Sequence, residues 1–250
     1  VTDPLFDPDG LGRSFGGAFL YLPDGTLISS LTGSTPGDLV AYDGVIVLSN
    51  GDYVVKSPFW DNGAVTDAGA ITHASGATGV SGVVTPGNSL VGGSVDDQVG
   101  NGGVTALPNG NYFVVSSFWN HGVIVDAGAV TVCSADGTTT GVVTPANSLV
   151  GSTANDRLGN FGSIILGNGN VVVVSADWDN GAVVDAGAVT FIAVNSGISG
   201  AVSAANSLVG SSTLDQVGNY GVTPLTNGNF VVVSPNWDNG AIADAGAVTF

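Results

Sequence analysis

Short apolar runs recur along the whole chain, and turns rich in glycine, asparagine and aspartate separate them. The runs have the length of strands, and no segment sustains a 3.6-residue period. We therefore expect an all-β fold with almost no helix. In residues 97–155, which serve as the example, the runs predict strands at 103–107, 112–116, 127–133 and 141–144.

The same pattern predicts turns and burial. Pro108-Asn-Gly-Asn111 joins the first two strands, because Asn-Gly accepts the positive φ of a tight hairpin. The second strand, at 112–116, is apolar at consecutive positions, as are its counterparts at 53–55, 171–174 and 230–233. Such a strand is predicted to be buried on both faces. Residues 147–151 are predicted to cross to the next unit.

One unit of 59 residues repeats along the chain without insertions. Its markers are the four tryptophans (Trp60, Trp119, Trp178, Trp237), the first residue of each Asp-Ala-Gly-Ala motif (Asp67, Asp126, Asp185, Asp244) and the start of each Asn-Ser-Leu-Val-Gly string (Asn88, Asn147, Asn206). The predicted organisation is one repeat domain. It contains a two-stranded N-terminal partial unit (1–37), three repeats (38–96, 97–155, 156–214) and a partial fourth (215–250).

Four short strands per unit, with the middle ones buried, predict a β-propeller of four-stranded antiparallel blades. A β-solenoid is the alternative, although its coils are usually shorter than 59 residues. The N-terminal part resembles the third and fourth strands of a unit, and the C-terminus stops at a third strand. Pairing of terminal strands would close a ring within one chain, or join several chains into a larger ring or a filament.

The amino-acid composition excludes some classes of binding partner. The formal net charge is −17, and the only basic residues are Arg13, Lys56 and Arg157. Nucleic acids and anionic membrane surfaces are therefore not expected as partners. The apolar runs are too short to span a membrane as helices, and one cysteine gives no disulfide framework. Because the chain contains no Met, even at its start, we expect it to be processed or part of a longer protein.

Several repeated phrases carry a resemblance to a known family. They are Asp-x-Val-Gly-x-x-Gly-Val-Thr, Asn-Gly-Asn, Val-Val-Ser-x-x-Trp-Asp-Asn-Gly and Asp-Ala-Gly-Ala-Val-Thr. Over residues 38–250 the chain resembles a repeat family of unknown function from large bacterial surface proteins of the filamentous-haemagglutinin type. The resemblance implies a propeller, a secreted location and a role in adhesion or surface architecture.

More distantly, the chain is similar to the FG-GAP repeats of integrin-type propellers. The counterparts of the FG-GAP motifs would be Val99-Gly100, Ser116-Ser-Phe118 and Gly128-Ala-Val-Thr131. FG-GAP blades often carry a calcium loop of alternating Asp residues between the first two strands. Here 108–111 and 225–229 occupy that place and contain no Asp. Calcium is therefore not expected at this position.

The loops around the tryptophans are the candidate ligand sites. An aromatic ring beside an acid and an amide can stack on a sugar and bind its hydroxyls. The alternative is that Trp packs between units and Asp-Asn-Gly forms a turn, which is the commoner role of repeated residues. The candidate residues are Trp60, Asp61, Trp119, His121, Trp178, Asp179, Trp237 and Asp238.

The other polar residues favour structural roles. The Asp of each Asp-Ala-Gly-Ala motif, and Asp38, Asp97, Asp156 and Asp215, could each contribute one ligand to calcium, but capping of a turn explains them better. His73, His121 and Cys133 form no set at metal-ligand spacing. No arrangement of a nucleophile with its base is evident. We therefore expect no catalytic residues, no metal, no cofactor and no enzymatic activity.

These observations predict a secreted or cell-surface structural or adhesive protein. Its partners would be further copies of the chain, joined as an oligomer or filament through the terminal strands. The alternative is a glycan-binding, lectin-like propeller that uses the Trp-Asp-Asn-Gly loops to bind surface glycans.

Overall fold

A computed structural model describes all residues, 1–250, and its regular elements are all strands. The prediction of an all-β fold is therefore confirmed. No helix in it is long and apolar enough to cross a membrane.

Each of the three complete repeats contributes five strands. The strands are, in the N-terminal segment, β1 (Thr2–Asp3), β2 (Gly17–Tyr21) and β3 (Leu27–Thr32); in the first repeat, β4 (Val45–Val47), β5 (Tyr53–Ser57), β6 (Ala70–Ala74), β7 (Gly82–Val83) and β8 (Ser89–Val91); in the second, β9 (Gly103–Ala106), β10 (Tyr112–Ser116), β11 (Ala129–Cys133), β12 (Gly141–Val142) and β13 (Leu149–Val150); in the third, β14 (Ser163–Ile165), β15 (Val171–Ser175), β16 (Ala188–Ile192), β17 (Gly200–Ala201) and β18 (Ser207–Val209); and in the fourth, β19 (Val222–Pro224), β20 (Phe230–Ser234) and β21 (Ala247–Thr249).

The chain divides into two compact units. Unit 1 is Val1–Val114 with Cys133–Val143, and unit 2 is Val115–Val132 with Thr144–Phe250. Unit 1 contains sheets with the strand orders β1-β2-β3-β7 and β12-β8-β6-β5-β4. Unit 2 contains sheets with the orders β14-β15-β16-β18 and β19-β20-β21, and in it β13 lies between β11 and β17.

Within each complete repeat, the first three strands pair antiparallel in chain order, as β4, β5 and β6 do. The predicted position of the fourth strand is wrong. The fourth strand is not 141–144 but the Ser-Leu-Val segment, because β8, β13 and β18 pair with β6, β11 and β16. A hydroxyl pair fixes this register, as Thr131 Oγ1 lies 2.7 Å from Ser148 Oγ and the pair is buried. Residues 147–151, predicted to be a crossing, therefore contain the fourth strand.

The Gly-Val segment predicted as the fourth strand has another role. It forms the two-residue strands β7, β12 and β17, which we call clasp strands. Each clasp strand pairs in parallel with the fourth strand of the preceding unit, namely β3, β8 and β13. The residue after each clasp adds a hydrogen bond, for example from the Val143 N–H to the Val91 carbonyl at 3.0 Å. The sheets are therefore not purely antiparallel, and each of the first three repeats pairs through its clasp strand with the unit before it.

The second strands of the second and third repeats form the core, as predicted, whereas β5 and β20 are only partly buried, contrary to the prediction. All five residues of β10 and all five of β15 are buried. Their continuous apolar sequence leaves no polar side to face water. In unit 2, Val172 and Val174 join Leu166 and Val217 in one apolar cluster with Val232 of the fourth repeat.

The terminal sheets end in unpaired edges. The N-terminal segment has a third strand besides the two predicted, because the short β1 pairs with β2. In unit 2, β21 pairs only with β20 and is the edge of its sheet. The assembly of these sheets into a propeller ring stays a prediction.

The burial of β15 can be tested by substituting Val173, whose side chain is fully buried. We expect Val173→Lys to lose about 4 kcal/mol or more of unfolding free energy, because a lysine there has no partner and no water. Circular dichroism and the yield of soluble protein measure the loss. Val123→Lys is the control, since Val123 is 97% exposed. A normal spectrum and melting curve for Val173→Lys would contradict burial on both faces.

Candidate functional site

Each tryptophan loop is a compact turn between the second and third strands. In the first repeat the Trp60 N–H donates to the Ser57 carbonyl, and the Trp60 carbonyl accepts from the Gly69 N–H at 2.9 Å. Between them, Asn62 and Val65 exchange both backbone hydrogen bonds. The other three loops repeat this bridge. The predicted turn is therefore present in all four loops.

The indole rings are mostly buried. Trp60, Trp119 and Trp178 are 3%, 4% and 2% exposed. The Nε1 atoms of Trp60 and Trp178 are buried without a hydrogen-bond partner, so they offer no donor to a ligand. Trp60 packs in the apolar cluster that contains Val84 and Val91, from the residues following the clasp strand and from the fourth strand. These rings have no free face on which a sugar could stack; only Trp237 is partly exposed.

The acids of the loops bind their own backbone. Asp61 Oδ1 accepts the Asp67 N–H at 2.8 Å, and Asp179 Oδ1 accepts the Asp185 N–H at 2.8 Å. Asp238 repeats this bond to the Asp244 N–H at 2.9 Å. In the second repeat, which has no acid here, Asn120 Oδ1 accepts the Asp126 N–H instead. The acids of the predicted ligand set therefore hold the start of the Asp-Ala-Gly-Ala motif.

The amides of the loops reach the end of the fourth strand. The side-chain nitrogens of Asn62 and Asn180 donate to the carbonyls of Gly92 and Gly210, both at 3.0 Å. His121 occupies the corresponding place in the second repeat, with Nδ1 3.4 Å from the Gly151 carbonyl oxygen. Its ring also stacks on Trp119, with the ring centroids 5.5 Å apart. His121 thus occupies the place that the asparagine has in the first and third repeats.

A buried aspartate connects these parts. The Asp156 side chain accepts backbone N–H groups of Ser152 at 2.7 Å, Thr153 at 2.8 Å and Asp179 at 3.0 Å, together with the Thr153 hydroxyl. Such bonds to an ionised acceptor stabilise a carboxylate that has no cation beside it. The four equivalent residues, Asp38, Asp97, Asp156 and Asp215, are all fully buried. The carboxylate therefore ties the end of one fourth strand to the next tryptophan loop.

The Asp-Ala-Gly-Ala motif forms the junction with the following repeat. The Asp126 and Ala127 carbonyls accept the N–H groups of Arg157 and Leu158, at 3.0 and 3.2 Å. Gly128 has a φ of +76°, and a Cβ there would lie 2.1 Å from the Leu158 nitrogen. The junction therefore requires glycine at this position. The motif is a structural connection between repeats.

Carboxylates accumulate around two of the junctions. The pKa of Asp67 is raised, mainly because the carboxylate is partly removed from water and to a smaller extent because Asp61 and Asp96 are also negatively charged. Loss of hydration, followed by Asp177 and Asp179, likewise raises the pKa of Asp185. In the second repeat the Arg157 guanidinium lies 3.3 Å from the Asp126 carboxylate. Carboxylates therefore repel one another at the first and third junctions. At the second junction, Arg157 supplies a positive charge beside Asp126.

The remaining titratable residues are separate from the loops. Cys133 is buried, and burial raises the pKa of its thiol to about 12. His73 Nε2 lies 3.5 Å from Asp52 Oδ2. No three His, Cys or Asp side chains are grouped so that they could hold a metal ion.

The comparison with known families agrees with this periodic geometry. The model of a family described as a repeat of unknown function, DUF5650, matches residues 47–101, 106–160, 165–219 and 224–250, which together are more than half of the chain. The chain belongs to this family. No curated protein matches it. The DUF5650 matches begin at the first strand of each repeat, a little after the predicted boundaries at 38, 97, 156 and 215.

Sequence reasoning found the residues of the DUF5650 junction but not their connections. It identified the aspartates, the tryptophans and the motif glycine separately. It missed the hydroxyl pair between the third and fourth strands and the parallel pairing of the clasp strands. The signal for the hydroxyl pair was available, because the Thr of Asp-Ala-Gly-Ala-Val-Thr and the Ser of Asn-Ser-Leu-Val repeat together.

The role of the buried aspartate can be tested with Asp156→Asn. The asparagine side chain has the same size as aspartate, but one of its two oxygens is replaced by an NH₂ group. That group faces backbone N–H donors and cannot accept a hydrogen bond from them. We expect a loss of about 3 kcal/mol of unfolding free energy, measured by urea titration. Asp136→Asn, in an exposed turn, is the control and is expected to cost less than about 1 kcal/mol. Equal effects of the two substitutions would contradict the structural role of Asp156.

The repulsion at the third junction predicts a pH-dependent effect of Asp185→Asn. Because the pKa of Asp185 is raised in the folded protein, its ionisation lowers stability as the pH rises through that value. We expect Asp185→Asn to raise the urea midpoint at pH 7, and the difference to vanish below the ordinary carboxyl pKa of 3.8. Asp126→Asn is the control and should give no gain, because Arg157 pairs with that carboxylate. A gain from Asp185→Asn that persists at low pH would refute the electrostatic cause.

Proposed function

We propose that this protein is a secreted or cell-surface structural or adhesive repeat protein without enzymatic activity, and that its terminal sheets join it to other chains. The observation that carries the proposal is how the repeated polar residues are used: the four aspartates Asp38, Asp97, Asp156 and Asp215 are fully buried at the junctions between repeats. Joining to other chains would use the terminal strands, since an edge strand can pair with another chain.

The rest of the molecule supports a structural role. The repeated polar residues hold one repeat to the next, as the buried aspartates and the loop amides do. Repeat units of this kind bury their apolar faces against neighbouring units. The net charge of −17 opposes association, so assembly should depend on screening by salt.

The glycan-binding alternative has less support. It needs exposed indole faces, and three of the four rings are buried. Only Trp237 has a partly exposed indole ring, and one such ring gives no avidity. The loops of the first three repeats are therefore better explained as packing elements.

The resemblance to filamentous-haemagglutinin-type proteins and to FG-GAP propellers also belongs to this proposal. It supplies the expected location, at the cell surface or outside the cell. Protease shaving of intact cells that produce the protein checks this part: a surface protein is digested while the cytoplasm stays intact. Protection until lysis would overturn the location.

Light scattering over a range of concentrations and salt tests assembly. We expect a mass above the 24.5 kDa of one chain, and a mass that increases with salt as repulsion is screened. Val248→Lys should shift the protein towards the monomer, because a lysine on an edge strand opposes pairing. Val123→Lys adds the same charge on an exposed loop and is the control. A mass of 24.5 kDa under all conditions would refute assembly.

A further inference from the structure

An exposed aromatic residue stands two positions before the first strand in the third and fourth repeats. Phe161, before β14, is 45% exposed, and Tyr220, before β19, is 73% exposed. Cα atoms of β14 and β19 come within 8 Å of each other, so the two rings are neighbours on one face of unit 2. The equivalent residues Asp43 and Gly102 are exposed as well, in repeats that a complete repeat follows. This position therefore faces outwards throughout the chain.

Amide and carboxylate groups accompany the two rings. Asn160, next to Phe161 in the chain, is exposed, and its side-chain nitrogen donates to Asp177 Oδ2 at 2.8 Å. Next to Tyr220, the side-chain nitrogen of Asn219 donates to Gln216 Oε1 at 3.2 Å. The same oxygen accepts from the Asn236 amide at 3.1 Å. Each aromatic ring is therefore followed along the surface by polar side chains that can both donate and accept hydrogen bonds.

The residue before each tryptophan extends this face and differs from repeat to repeat. In unit 2 it is Phe118, Asp177 or Asn236, whereas the junction residues around it hardly change. The Arg157 guanidinium lies 5.9 Å from the centre of the Phe118 ring, and Asp177 and Gln216 occupy the equivalent places one repeat further on. Variable surface positions on a rigid scaffold commonly carry the binding residues. The variation thus separates this face from the constant junctions.

We propose that this face of unit 2 binds an extended neutral polysaccharide. The rings of Phe161 and Tyr220 stack on the apolar C–H faces of sugar units, and the neighbouring amides and the Asp177 carboxylate bind the hydroxyls. Successive sugar units meet successive repeats, which adds avidity. The proposal rests on the adhesive role proposed above and names its ligand class. It uses none of the tryptophans, three of which are buried.

The charges of the chain favour a neutral ligand. A net charge of −17 repels anionic polysaccharides. Arg157 is the one basic residue of unit 2, and the Asp126 carboxylate already lies 3.3 Å from its guanidinium. A protein partner fits less well, because the core of a protein interface is depleted of charged residues and apolar, whereas amides and a carboxylate flank both rings here. Sugars satisfy such groups with their hydroxyls.

The test uses the intact chain and four soluble neutral polysaccharides, namely a β-glucan, a mannan, a galactan and a xylan, with a sulfated dextran as the anionic probe. Affinity electrophoresis detects binding, and calorimetry with matching oligosaccharides measures the affinity. We expect binding to at least one neutral polysaccharide and none to the sulfated dextran. Phe161→Ala and Tyr220→Ala should each weaken binding about tenfold, because a stacking surface is lost. Phe161→Tyr should retain it.

Two further variants serve as controls. Tyr21→Ala removes a tyrosine that is 43% exposed and belongs to unit 1, and it should leave binding unchanged. Trp237→Phe alters the one partly exposed indole and should also leave binding unchanged, which separates this face from the tryptophan loops. Because Phe161 and Tyr220 are exposed, their alanine variants should keep the urea midpoint of the parent chain.

The possible results separate this proposal from the assembly role. Absence of binding to all four neutral polysaccharides, binding that both alanine variants leave unchanged, or binding that only Trp237→Phe removes overturns the proposed face. Binding to the sulfated dextran alone also overturns it, since the ligand is then anionic. A chain that binds no polysaccharide but associates in salt keeps the assembly role. Binding by a chain that scatters as a 24.5 kDa monomer keeps the face and refutes only self-assembly.

Discussion

The junctions between repeats depend on buried carboxylates, and those of Asp38, Asp156 and Asp215 accept backbone N–H groups from two directions. A carboxylate removed from water is costly unless several donors surround it. The side chain of Asp156 finds those donors in the turn after β13 and in the loop that begins at Trp178. The two segments belong to different repeats, so neither can move away without leaving the charge unsatisfied. The same arrangement recurs at Asp38 and Asp215, one repeat period or a multiple of it away.

The glycines, the loops and the clasp strands follow from that constraint. The carboxylate can serve both segments only if the backbones approach closely, and at the junction the Gly151 N–H donates to the Gly128 carbonyl at 3.1 Å. A Cβ on Gly151 would lie 2.1 Å from the Ala127 carbonyl oxygen. The clasp strand then covers the outer edge of the fourth strand. Each repeat is completed by residues of the next, as in other repeat proteins whose units are not stable alone.

The sequence predicted what is local and periodic. The apolar run at 171–174 led directly to a buried β15, and Asn-Gly led to the hairpin before β10. It did not predict which of two neighbouring short segments would be the fourth strand, because Gly141-Val142 and Leu149-Val150 have similar strand propensity. Their difference is tertiary: Ser148 has the Thr131 hydroxyl opposite it, whereas the Gly-Val pair finds its partner in the preceding repeat.

The candidate site shows a related limit. An aromatic residue beside an acid and an amide is the pattern of a sugar site and also of a packed corner, and only burial separates the two. At Trp178 the ring is enclosed, and the polar groups beside it bind backbone: Asp179 binds the Asp185 N–H, and Asn180 binds the Gly210 carbonyl. Sequence alone contains no measure of that enclosure.

The distribution of charge bears on whether so acidic a chain could assemble as proposed. The net charge of −17 would repel a second copy across most of its surface. The inter-repeat segments 82–92, 141–151 and 200–210, however, contain no charged residue. Packing of such a segment within the chain therefore adds apolar burial and backbone hydrogen bonds without bringing carboxylates together at the contact. Contact through uncharged strands, with the aspartates kept in the turns around it, makes a high negative charge compatible with assembly.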